Sequence, residues 1–192
     1  MVKKVDKVTK VMLIILYICL VILTIETIIA CIFHRSIDMP ESDYDTYDKI
    51  HAYKVLYSEY DKGVNSWQMD KKFYRDTVTD LAKLGPYLYF EKDIKSASGL
   101  SIALIPSIIV DEELDDAEIY CWVFTHEVMH IKRFSANETY VCFETFKFLY
   151  ESENDYLHNA GVRYGTRQLN GYYHGEYDCS GYIINYLKKE IL

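Results

Sequence analysis

Hydrophobic positions fall into three regimes along the chain. Residues 11–33 are almost continuously apolar, 23 positions in which Glu26 is the only side chain charged at neutral pH. As a helix, that length crosses a hydrocarbon core of about 30 Å. Beyond residue 42 the pattern becomes periodic. Tyr47, Ile50, Tyr53, Tyr57 and Tyr60 recur at helical spacing, and Gly63 with Asn65 ends the run. Ser66 can cap a second helix reaching about Leu84, where Gly85-Pro86 stops it. Residues 87–90 and 100–110 read as strands, the second rich in isoleucine and interrupted by Pro106, which suits an edge strand. After the acidic turn 111–116 the helical period returns, with Asp115 or Asp116 as cap. It resumes after Ser135, over 153–169 and over 180–191, with Asn170-Gly171 as a turn. These elements predict an α+β fold, mainly α, with a small sheet behind one N-terminal transmembrane helix.

Charge gives the apolar segment a direction. Lys3, Lys4, Lys7 and Lys10 precede it, and Asp38, Glu41, Asp43, Asp45 and Asp48 follow. The positive-inside rule then predicts a cytoplasmic N-terminus (1–10), a membrane helix (11–33), a linker (34–42) and an extracytoplasmic domain (43–192). Two other readings compete for the segment: a cleaved signal peptide, and a lipobox at Ile28-Ile29-Ala30-Cys31 that would lipidate Cys31. The whole chain carries −8 and its first 33 residues +2, so the remainder is −10. An acidic domain without a basic stripe does not suit nucleic acid. Cys121, Cys142 and Cys179 lack paired spacing and do not form a disulfide framework.

Candidate chemistry concentrates in Thr125-His126-Glu127-Val128-Met129-His130, set among Trp122, Val123, Phe124 and Ile131. Residues four apart share a helix face, so His126 and His130 can offer two imidazoles to one ion. Glu127 is rotated about 100° from His126, which sets its carboxylate beside the ion as a general base. A catalytic zinc needs a third protein ligand. On the next helix Glu138 shares the apolar side with Val141, Cys142, Thr145 and Leu149, whereas Glu144 lies with Tyr140, Lys147 and Glu151 on a side that reads as solvated. A buried carboxylate needs a partner, which favours Glu138 and leaves Glu144 in reserve. Ser135-Ala136-Asn137-Glu138 also fits a capping box, in which Glu138 would only tie the helix end.

The H-E-x-x-H sequence resembles the zincin metallopeptidases, and the layout, with its N-terminal membrane segment and a glutamate soon after the motif, looks like bacterial membrane-anchored members. The resemblance implies a zincin-like domain, Zn2+ on His126 and His130, Glu127 as base, and a peptide or protein substrate. A glutamate as third ligand would make the site gluzincin-like. Zincins often place a Tyr or His opposite the base, for which Tyr173, His174 and His158 are candidates. Residues 101–110, just before the motif helix, offer an edge along which an extended peptide could pair. The expected function is a membrane-anchored zinc metallopeptidase. The alternatives are a tethered binding module with a structural zinc closed by a fourth ligand such as His158 or His174, and a zinc hydrolase of a non-peptide bond.

Overall fold

The computed structural model describes residues 7–36, 44–64, 69–95, 97–103 and 105–191. Helix α1 (Lys7–Ser36) contains the apolar stretch Thr9–Ile28, which is long and apolar enough to cross a membrane. Its large apolar side chains from Val11 to Ile28 are exposed. The rest is α2 (Thr46–Glu59), α3 (Lys71–Ala82), strands β1 (Leu88–Lys92), β2 (Gly99–Ile102) and β3 (Ser107–Asp111), then α4 (Ala117–Arg133), α5 (Glu138–Tyr150), α6 (Asp155–Leu169) and α7 (Ser180–Ile191). Helices predominate over a three-stranded mixed sheet, as the periodicities predict.

Polar caps fix the helix starts. Asp45 and Asp48 close a capping box on α2. Asp70 accepts from the Phe73 N–H and starts α3; Ser66 lies outside the described residues. Helix α3 stops at Lys83, which takes the left-handed conformation (φ 51°), so it ends just short of the proline signal.

The isoleucine-rich run differs from its expected form. Residues 100–110 make two strands, and Pro106, with no N–H to give a ladder, lies between them. Its carbonyl instead accepts from Leu88 N–H at 2.8 Å. The strand order is β1-β3-β2, with β1 parallel and β2 antiparallel to β3. The strand after Pro106 is therefore central, and β2 supplies the edge.

Helix α4 is the axis of the core. Tyr120, Cys121, Phe124, Val128 and Met129 are almost fully buried. Ile108 and Val110 of β3 are fully buried on the sheet face that turns toward α4, where Tyr89 and Tyr120 hydroxyls meet at 2.9 Å. On its other side Trp122 donates to the Ala160 carbonyl of α6 at 3.0 Å. Helices α5 and α6 approach so closely that a methyl on Gly161 would sit 2.5 Å from the Tyr150 backbone nitrogen. Backbone cannot yield as a flexible side chain does. Gly161→Ala should therefore cost about 1–3 kcal/mol by overpacking, whereas Gly85→Ala, where an added methyl meets nothing, should be nearly silent. Thermal melts of the two variants check the difference.

Candidate metal centre

The backbone between α4 and α5 assembles the site. Asp116 accepts from the N–H groups of Glu118 and Ile119 and starts α4. Phe134 ends it in the left-handed region (φ 51°). The helical period leaves His126 and His130 on one face with ring centroids 4.7 Å apart. Asn137 then caps α5 by accepting from Tyr140 N–H, and Glu138 opens the helix facing back toward the histidines. Glu138 Oε2 lies 3.0 Å from His126 Nε2 and 3.4 Å from His130 Nε2, and the two Nε2 atoms are 3.0 Å apart. Ligand atoms held tetrahedrally about 2.0–2.1 Å from one ion lie about 3.3 Å from each other. The triangle fits a single ion of that kind.

Ring orientation agrees. His130 Nδ1–H donates to the Ser135 carbonyl at 2.6 Å, which aims Nε2 at the triangle, where its lone pair serves an ion once the imidazole is neutral. His126 Nδ1 faces Cys142 Sγ at 3.8 Å. Burial pushes the Cys142 thiol up to about 12, so the sulfur is protonated and a weak partner. Burial by itself would raise the Glu138 carboxyl, yet hydrogen bonds from His126 and His130 overcome it and hold the group at about 2. For His130 burial works downward, and the hydrogen bonds to Glu138 and Ser135 reverse it, so its pKa is raised.

Glu127 stands apart from the triangle, buried beside it on the wall of a cleft of about 630 Å³. Strand β2 crosses directly over this carboxylate. A methyl on Gly99 would come within 2.8 Å of both Glu127 Oε1 and Val123 Cγ1. Any larger residue there would push the Glu127 or Val123 side chain aside.

The capping-box reading of Glu138 does not hold. Asn137 is the cap, Ser135 Oγ accepts from Asn137 N–H, and the Glu138 side chain is spent on the histidines. Glu144 is not solvated either. It is buried and ion-paired with Arg133 at the end of α4, while Lys147 and Glu151 do lie on an exposed side. A helical wheel of α5 alone could not show a partner contributed by another helix. Among the described residues the metal-compatible group is His126, His130 and Glu138, without Glu144.

Of the three candidates opposite the base, only Tyr173 reaches the cleft. Burial raises its hydroxyl to about 12. His158 donates to the Tyr150 carbonyl and lies 3.6 Å from Glu59; His174 is exposed outside the cleft lining. Tyr177 was not singled out by the sequence, yet its ring lies 6.5 Å from that of His126. Buried Gln168 fixes its loop, donating to the Tyr177 carbonyl at 3.0 Å and accepting from Cys179 N–H at 3.1 Å. Thr139 secures the same loop through the Glu176 carbonyl at 2.7 Å. No periodicity marks such a residue, and 19 tyrosines hide it.

A metal titration separates these roles. Glu138→Ala removes one corner of the triangle and should lower affinity for zinc at least about 10-fold. Glu144→Ala should leave affinity unchanged and cost about 1 kcal/mol of stability through the lost Arg133 pair, because Arg133 can turn to water. Wild-type affinity should fall as pH drops through the raised pKa of His130, since the ion must then displace a proton.

Comparison with protein-family models, with curated proteins and with solved structures finds no match for this chain. A metal centre is supported here by the positions of its own side chains.

Proposed function

We propose that the chain is a membrane-anchored zinc metallopeptidase with a zincin-like, gluzincin-type domain. The observation that carries this reading is the triangle of His126 Nε2, His130 Nε2 and Glu138 Oε2 with a separate carboxylate, Glu127, beside it in one cleft. When bound, zinc supplies a Lewis acid that polarises the scissile carbonyl and makes water acidic enough to attack near neutral pH. Glu127 takes the proton from the attacking water and passes it to the leaving amine. Tyr173 and Tyr177, both on the cleft wall, are the side chains we assign to donate to the carbonyl oxygen as it gains charge.

A peptide rather than another substrate is favoured by β2. Among the described residues this strand pairs with β3 alone, so its outer edge offers N–H and C=O groups along the cleft rim. An extended chain can add to that edge as one more strand. The tethered structural-zinc alternative needs a fourth ligand, and neither His158 nor His174 joins the triangle. The four lysines ahead of the apolar stretch and the acids after it favour, by the positive-inside rule, an N-terminus inside the cytoplasm and the domain outside.

Glu127→Gln should keep zinc, because the residue is not a corner of the triangle, and should lower cleavage of a peptide library by about 100-fold or more. Normal turnover by a zinc-loaded Glu127→Gln protein would remove Glu127 from the mechanism. Protease added to intact cells should trim the domain, and full protection would reverse the orientation.

A further inference from the structure

The outward face of the sheet is apolar. Residues paired across strands share a face, and the register joins Phe90 and Leu100 to Ile109, and Leu88 and Ile102 to Ser107. The opposite face carries Ile108 and Val110 against α4, so Leu88, Phe90, Leu100 and Ile102 point away from the core. They are 54, 41, 48 and 42% exposed, and Ile105 in the adjoining turn is 57% exposed. A contiguous patch of this kind on an otherwise acidic domain marks a contact surface.

Three features say what covers it. Nine residues separate the end of α1 at Ser36 from the start of α2 at Thr46, which span about 32 Å at most. The domain therefore stays within roughly its own diameter of the surface that α1 enters. Glu26, late in α1, lines the same cleft as Ser98 and Leu100, so the end of the apolar stretch lies near the cleft and the sheet face beside it. Lys92 sits 5.4 Å over the Phe90 ring, an aromatic with a cation at its margin, the pairing suited to a headgroup boundary.

We propose that this sheet face, Leu88, Phe90, Leu100 and Ile102, rests on the lipid bilayer as a second membrane contact beside α1. The β2 edge and the cleft then open at the membrane surface. Combined with the peptidase reading, on which only this last step rests, the substrate class is the membrane-proximal extended segment of another membrane protein. A free soluble peptide would reach the cleft less readily.

The test uses the full chain in phosphatidylcholine vesicles, with Phe90→Trp and, as control, Tyr47→Trp on α2, where Tyr47 is 74% exposed. Fluorescence is read as the difference from the unsubstituted chain. In vesicles of brominated phosphatidylcholine the emission added by Phe90→Trp should fall about twofold or more, as for a ring seated at the acyl boundary, while that of Tyr47→Trp holds. Leu88→Trp repeats the measurement if Phe90→Trp does not fold. A chain that floats with the vesicles but shows no quenching at either position overturns the inference, whether water or a second copy covers the face. A chain that does not float overturns the anchor as well. Neither readout depends on zinc or on cleavage, so failure of the peptidase reading is seen separately.

Discussion

The hydrogen bond from His130 Nδ1 to the Ser135 carbonyl is the constraint on which the candidate centre depends. It forms only because Phe134 accepts a left-handed backbone and folds the chain back at the end of α4. The same turn delivers Asn137 as a cap and Glu138 as the first residue of α5. One short bend thus fixes the tautomer of one imidazole and supplies the third corner. The two imidazoles are not held alike: a carbonyl clamps His130, while a thiol stands behind His126 at greater distance.

Around that bend the core provides rigidity. Helix α4 is enclosed by the sheet, α3, α5 and α6, and its buried ion pair of Glu118 with Arg163 at 2.8 Å ties it to α6. Such burial explains why the motif helix reads as apolar on nearly every side and yet carries three residues with reactive side chains. Only the stripe facing the cleft is relieved of packing. There His126 and His130 are half-buried, and Glu127 is enclosed beneath Gly99.

What the sequence revealed follows from which interactions are local. The helices, the Asp116 cap of α4 and the shared face of His126 and His130 depend on neighbours within a turn, so the local pattern shows them. Glu138 was legible because a carboxylate among Val141, Cys142 and Thr145 demands a partner. Glu144 was misplaced because its partner, Arg133, lies on another helix. The strand at 100–110 was read as one element because an isoleucine run does not reveal a reversal of direction, although Pro106 marked the break. Tyr177 reaches the cleft through Gln168 and Thr139, contacts between segments that no local pattern contains.

The spacing of the triangle has a consequence in chain entropy. Its outermost members, His126 and Glu138, are separated by twelve positions, whereas the Asp61–Asn159 hydrogen bond that joins the α2 end to α6 spans 98. Closing the shorter loop restricts an unfolded chain less than closing the longer one, by about 2 kcal/mol. An ion held by these residues would bridge one short loop and not distant parts of the chain. Segments distant in sequence are joined instead by apolar packing around α4. What the ion gains or loses in affinity is decided locally, within one bend, and any stability it adds follows from that affinity and not from the length of the loop it closes.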